Sequence, residues 1–263
     1  MKSIKVITSQ HKPYYDSIGK HCITSFLEFW PKEIKLELYA EEFDPDITDD
    51  RLVVNRMNSV LDTWQQYINL REVTKKTKMA KFWLKSFVKI HAMENTSEDI
   101  LIWLDSDVVT HKNINLEYLE SLLPEDHLLC DIPALGKLKN KESETGFCMI
   151  NTKHKDFSLF LSNYKKFYQT KEGTSSLPRD IDSSVWWAAR QQVVSTGTKV
   201  NGLTSTINSH VPFMGTCLKD YMRHWVTKSN KAAYQKNHSI TFEEQGIYNA
   251  TVEKSTGEIT FRD

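Results

Sequence analysis

Long apolar runs are missing from this chain: nowhere in its 263 residues do about 18 uncharged hydrophobic residues follow one another, the least a membrane-crossing helix needs. A net charge is missing too, because 34 basic side chains meet 34 acidic ones. That balance excludes a globally basic nucleic-acid protein, although local basic patches stay open. Cysteine is scarce: Cys22, Cys130, Cys148 and Cys217 lie far apart with no C-x-x-C spacing. Such usage argues against a disulfide framework or a zinc site and fits buried, reduced thiols. The opening stretch Met-Lys-Ser-Ile-Lys-Val-Ile-Thr carries too short an apolar run for a signal peptide, so a cytoplasmic protein is the expectation. The Asn249-Ala-Thr251 sequon then carries no meaning.

What is present describes an ordered globule: 40% hydrophobic and 11% aromatic residues, without internal repeat or low-complexity linker. Ser3–Thr8 reads as a buried strand followed by a polar loop. Tyr15, Ile18, Cys22, Phe26 and Phe29 recur at helical spacing until Pro31. Ile34–Ala40 alternates as a strand, and Asp44–Asp50 is an acidic loop. Met79 to Met93 reads as a helix with Met79, Phe82, Trp83, Phe87 and Ile90 on its apolar face. Ile100–Leu104 is apolar without alternation, the mark of a strand covered on both faces in a parallel sheet. His127–Ile132 and Gly146–Ile150 follow as strands, Phe157–Tyr168 as a helix, and Asp182-Ser-Ser as the start of another. Tyr248–Glu253 and Glu258–Phe261 flank Ser-Thr-Gly as a hairpin. Strand and helix alternate through the first half, so the expected class is α/β: one domain over 1–263 with a central, mostly parallel sheet flanked by helices and a less regular C-terminal part.

Asp-x-Asp occurs three times, and roughly one such triplet arises by composition in a chain of this size, so context must separate them. Asp44-Pro-Asp46 lies in a polar loop and reads as surface. Asp105-Ser-Asp107 follows five apolar residues directly. In a parallel sheet that puts two carboxylates at the carboxyl end of a buried strand, where open α/β sheets bind ligands. Two close carboxylates repel, and a divalent cation relieves them; oxygen donors favour Mg²⁺ or Mn²⁺ over zinc. Asp180-Ile-Asp182 precedes a helix, so Asp182 reads either as a helix N-cap or as a base or acceptor-orienting carboxylate. Lys78, Lys81, Lys85 and Lys89 form a basic stripe on one helix face. Such a stripe is ordinarily solvated, and Lys78 and Lys89 are read so, while Lys81 and Lys85 are the functional candidates.

A strand ending in Leu104-Asp105-Ser106-Asp107-Val108-Val109, preceded by a helix carrying Lys81-Phe-Trp-Leu-Lys85, resembles the GT-A-fold glycosyltransferases, including small stand-alone enzymes of viruses, phages and bacteria. Further segments fit from about residue 3 to 231. The Thr8-Ser9-Gln10 loop is similar to the family's grip on nucleotide base and ribose. Glu144-Thr145-Gly146-Phe147 is similar to the strand beside sugar and acceptor. Pro212-Phe-Met-Gly215 with Tyr221-Met-Arg-His224 resembles the late segment that brings a histidine to the metal.

The resemblance implies a nucleotide-sugar-binding half over 1–150, an acceptor-side half with a C-terminal tail over 151–263, and a nucleotide diphosphate sugar donor, UDP-linked. It implies Asp105, Asp107 and His224 as ligands of Mn²⁺ or Mg²⁺, with Thr8, Ser9, Gln10, Lys81, Lys85 and Asp105 binding the donor. Asp182 and Glu144 are the implied catalytic carboxylates. The family's His-x-x-Gly-x-x-Lys is broken here, where His224 is followed by Trp-Val-Thr-Lys-Ser-Asn-Lys, so either Lys228 or Lys231 takes the phosphate role. Acceptors in scope are a glycan, a small molecule or a modified DNA base. The same Asp-x-Asp-x-Val pattern would serve a haloacid-dehalogenase-like phosphatase with Asp105 as nucleophile, and an inactive sugar-nucleotide-binding module is the other rival.

Overall fold

Both faces of strand Ile100–Leu104 are covered, as its unbroken apolar sequence requires. Ile100, Ile102 and Leu104 enter one hydrophobic core, and Leu101 and Trp103 enter the other. The structure, a computed structural model, describes residues 2–70, 80–133, 142–169, 177, 181–203, 213, 215–225, 251–252 and 259–260, and their side chains except at 63, 65–70, 80, 81, 251, 252, 259 and 260.

Through these residues run β1 (Ile4–His11), a short helical turn α1 (Lys12–Tyr14), a π-helical stretch (Tyr15–Gly19) and α2 (Lys20–Phe29). They are followed by β2 (Lys35–Glu41), β3 (Leu52–Arg56), α3 (Met57–Leu70), α4 (Ala80–Asn95), β4 (Ile100–Leu104) and β5 (Val108–Thr110). Then come α5 (Leu116–Leu122), β6 (Leu129–Pro133), β7 (Ser143–Asn151), α6 (Phe157–Gln169), α7 (Asp182–Val194), β8 (Val200–Gly202) and, after a 3₁₀ turn, β9 (Met222–His224).

Seven strands form the main sheet in the order β3-β2-β1-β4-β7-β6-β8. β1 pairs in parallel with β2 and β4, β2 with β3, and β6 with β8, while β7 lies antiparallel to both β4 and β6. Six strands therefore point one way and β7 alone the other. The expected mostly parallel α/β sheet is what the chain forms. α2 covers one face with Cys22, Ile23 and Phe26, and α3, α4, α6 and α7 contribute Trp64, Phe87, Tyr164 and Trp186 to the other. Apolar burial on both sheet faces, worth about 25 cal/mol per Å² buried, supports the strands whose carboxyl ends form the polar edge.

Two small pairings lie outside this sheet. β5 runs antiparallel to β9, with Val108 opposite His224. The C-terminal strands β10 (Thr251–Val252) and β11 (Ile259–Thr260) pair antiparallel, the hairpin expected from the sequence. Asp44 and Asp46 lie on an exposed loop, as expected, where they pair with Arg56 and Lys20.

Candidate active site

The carboxyl ends of β1 and β4 run off one edge of the sheet side by side, since Ile7 is opposite Trp103. Thr8, Ser9 and Gln10 continue from one and Asp105 from the other. Alternation along β4 decides what Asp105 meets. Leu101 and Trp103 face α4, and Asp105, two residues on, faces the same side. Lys85 on α4 accordingly reaches it, with Nζ 2.7 Å from Asp105 Oδ1 and 2.8 Å from Oδ2. The Trp103 indole Nε1 donates to the same Oδ1 at 2.6 Å.

Asp107 looks elsewhere. Its Oδ1 lies 2.9 Å from His224 Nε2, and its Oδ2 accepts from the Tyr14 hydroxyl. Backbone pairing creates this contact: β9 lies beside β5, and Trp225 N–H donates to the Asp107 carbonyl at 2.9 Å. The histidine ring is also 3.6 Å from Asp105 Oδ2 through Nε2, and 3.2 Å from Glu144 Oε1 through Nδ1. One imidazole thus faces three carboxylates. Burial opposes its positive charge, but Asp107 and then Glu144 outweigh burial and raise its pKa to about 10. Burial works against the anion of Glu144 in turn, and His224 and Lys85 outweigh it, so its pKa falls. Tyr14, desolvated and next to Asp107, stays protonated and can only donate to it.

Close backbone approach completes the pocket. Asp105 N–H donates to the Gly146 carbonyl at 2.8 Å, and Gly146 N–H donates to Glu144 Oε1 at 2.8 Å. A Cβ at residue 146 would lie 2.4 Å from His224 Cε1. Glycine is what lets strand β7 and the imidazole share this space.

Behind Asp105 stands Asp182, first residue of α7 and 2% exposed. It does not cap its helix: Ile181 occupies the N-cap position, and no side chain there bonds the backbone. The carboxylate turns inward because two cations and a hydroxyl await it. Its Oδ2 accepts from Thr145 Oγ1 at 2.7 Å and lies 3.3 Å from Lys89 Nζ and 3.5 Å from Lys85 Nζ. Burial disfavours its charge, yet Lys85 and Lys89 prevail and hold its pKa at about 2. For Lys85, burial is likewise overcome, by Asp105 and then Asp182, so the ammonium is strongly retained.

Lys89 corrects the reading of the basic stripe. It is 1% exposed instead of solvated, its Nζ 4.7 Å from the Trp103 ring centre and 5.4 Å from that of Trp186. The sequence could have disclosed it, since Lys89 follows Lys85 by one turn on the face that carries the functional candidates. Trp103 and Tyr14 had no such sign. Thr8 and Gln10 are buried at the carboxyl end of β1, each with one side-chain oxygen, Oγ1 and Oε1, lacking a partner among the described residues, whereas Ser9 is half-buried. Gln10 Nε2 donates to the Gly19 carbonyl at 3.2 Å. Lys78, Lys228, Lys231 and Asp180 lie outside the described residues, as does the Lys81 side chain, though its backbone belongs to α4.

The structure therefore brings together Asp105, Asp107, His224, Glu144, Lys85 and Asp182 at one edge. Ligand atoms of Asp105, Glu144 and His224 lie within 4.8 Å of one another, close enough to share one ion. Carboxylate oxygens with one imidazole fit Mn²⁺ or Mg²⁺ by donor type.

No protein-family model matches the chain, and no curated protein matches it in sequence. Solved structures do. Galactosyltransferase LgtC, in complex with donor and acceptor sugar analogues, superposes with a TM-score of 0.54 at 10% identity, covering 95% of this chain and 98% of that one. Mouse xyloside xylosyltransferase 1, in its apo form, gives 0.53 at 10% identity, covering 76% of this chain and 84% of that one. With a seven-stranded, mostly parallel sheet and these likenesses, the chain has the GT-A fold of glycosyltransferase structures.

Proposed function

We propose that this chain is a metal-dependent glycosyltransferase that moves a sugar from a nucleotide diphosphate sugar to an acceptor hydroxyl. The observation that carries the reading is the meeting of Asp107 and His224 across β5 and β9, 2.9 Å apart, beside Asp105 at the carboxyl edge of the sheet. Asp105, Asp107 and His224 would hold Mn²⁺ or Mg²⁺, with Glu144 against the imidazole. When bound there, the cation would neutralise a diphosphate leaving group.

The chain's own residues supply the rest. Thr8 and Gln10 offer buried oxygens without a partner among the described residues, where a base and ribose would lie, and Ser9 sits between them. Lys85 is pinned to Asp105, so it holds that carboxylate in place more than it reaches for phosphate. Lys81 and one of Lys228 and Lys231 would meet the diphosphate, placing positive charge where negative charge develops. A carboxylate held at a pKa of about 2 is a weak base, which favours Asp182 as an acceptor of sugar hydroxyl hydrogen bonds over Asp182 as a proton abstractor. The donor would be UDP-linked, carrying a hexose or pentose, and the acceptor a glycan, a small molecule or a modified DNA base.

The phosphatase reading would make Asp105 the nucleophile, whereas the solved structures that resemble this sheet are glycosyltransferases. A panel of nucleotide sugars with Mn²⁺, following release of nucleoside diphosphate by slow hydrolysis without acceptor, tests the proposal. Metal-dependent release from at least one donor is expected; none from any donor would sink it.

A further inference from the structure

Where α4 meets the end of β4 and the start of α7, charges alternate in a row, Asp105, Lys85, Asp182, Lys89, with Lys85 and Lys89 supplied by α4. Its spacing is uneven. Lys85 Nζ is 2.7 Å from Asp105 but 3.5 Å from Asp182, although it lies between them. Lys85 alone could not compensate both carboxylates, and the charge left over would fall on Asp182, which is buried away from solvent, a costly state. Lys89 supplies the second positive charge from one turn further along the same helix, 3.3 Å from Asp182 Oδ2. It is buried there against the rings of Trp103 and Trp186, which favour a cation on their faces. The hydrogen bonds of Asp182 from Thr145 and Lys89 both fall on Oδ2, which is also 3.5 Å from Lys85 Nζ.

We infer that Lys89 is a positioning residue: by occupying Asp182 it keeps Lys85 on Asp105. Lys89 touches neither substrate nor metal in this scheme. It acts through Asp182 and Lys85, and it converts two competing carboxylates into two separate ion pairs. The groups that face Asp182 among the described residues are Lys85 and Lys89 from α4, Thr145 from β7 and Tyr164 from α6. Without Lys89, Lys85 would have to serve both acids, and Asp105 would lose the clamp that fixes its direction.

The inference rests on the glycosyltransferase reading only for its kinetic arm, so two measurements are made. In the first, Lys89→Met, which keeps the side chain's length and removes its charge, is compared with wild type in donor hydrolysis. kcat is expected to fall by about tenfold to a hundredfold, as a displaced catalytic array does, with donor KM little changed. In an Asp182→Asn background, where no second acid needs a counter-charge, the same Lys89→Met change is expected to alter kcat by less than about threefold. An equal drop in both backgrounds, or no drop in the first, overturns the inference.

The second measurement needs no substrate. Carbon-13 NMR of labelled aspartate carboxyls, with the Asp182 signal assigned by its loss in Asp182→Asn, follows titration in the full chain. Lys89→Met is expected to raise the Asp182 midpoint by about one pH unit or more, as removal of a close opposite charge does. An unmoved midpoint overturns the inference, even if no nucleotide sugar is turned over and the functional reading has failed on its own account. Should Lys89→Met be recovered unfolded, Asp182→Asn added to it is expected to restore folding by removing the orphaned charge. Failure to rescue counts against the pairing.

Discussion

Gly146 and His224 touch across two different sheets, and a methyl group at residue 146 would fall 2.4 Å from the imidazole Cε1 and 2.5 Å from Nδ1. At such distances either the ring or the strand would have to shift. His224 is fixed by backbone pairing of β9 with β5, and Gly146 is fixed by its carbonyl accepting the Asp105 N–H. The glycine thus sets the distance between the imidazole and the carboxylates around it.

Gly146→Ala is therefore expected to displace His224 from Asp107 and to weaken Mn²⁺ binding by tenfold or more, at a stability cost of about 1–3 kcal/mol from overpacking. Titration of Mn²⁺ followed by electron paramagnetic resonance, alongside thermal melting, checks this. Wild-type affinity in a well-folded Ala variant would show that the approach is not tight.

Asp107→Ala removes the partner of both His224 Nε2 and the Tyr14 hydroxyl. Nucleoside diphosphate release should fall by about a hundredfold or more, in line with loss of a metal ligand or its orienting partner, while the fold persists. Chelation by EDTA should have the same effect on wild type, reversible with Mn²⁺. Turnover left intact in Asp107→Ala would mean that the ion binds elsewhere.

Acid stability follows from Asp182. Its pKa in the folded chain is about 2, below the roughly 3.9 of an unfolded aspartate, so the unfolded state binds the proton more readily. Its contribution is fully present above about pH 4 and is lost as pH falls towards 2, a change on the order of 2 kcal/mol. Urea unfolding between pH 2 and 5 should show a shallower fall for Asp182→Asn than for wild type. Parallel profiles would argue that Lys85 and Lys89 do not stabilise the anion.

Thiol reactivity should divide the cysteines. Cys22, Cys130 and Cys148 are buried, and burial pushes the Cys148 thiol up to about 12, whereas Cys217 is exposed. At pH 8 a thiol reagent should label Cys217 quickly and the other three only on unfolding, because the thiolate is the reactive form. Mass spectrometry of the native protein with more than one fast label would contradict the packing around them.

Much of this was legible in residues that obey local rules. Strand Ile100–Leu104 appears with the bounds its apolar run sets, and α4 and α6 lie where helical spacing put them. Less legible were β3, whose Val53 and Val54 stand exposed on a sheet edge, and α3 after it. The three-residue strands β5, β8 and β9 are too short for any period to show. Lys89 was misread because a lysine on a helix is usually solvated, and no pattern along α4 reveals the two tryptophans, from β4 and α7, that enclose it.

The sequence by itself determined the kind of sheet, the position of Asp105-Ser-Asp107 at the end of a buried strand, and the basic helix before it. Each depends on neighbours within a few turns of the chain, where hydrophobic period and capping act. Tertiary structure alone decided that Asp105 is clamped by Lys85 and Trp103 while Asp107 faces His224 and Tyr14. It also decided that Asp182 serves as the partner of Lys89 instead of a helix cap. Apart from the contacts of Asp105 with Lys85 and Trp103, those outcomes join residues 93 to 117 positions apart, and they follow from strand register and from the cost of burying a charge without its opposite, neither of which is written in any local stretch of the chain.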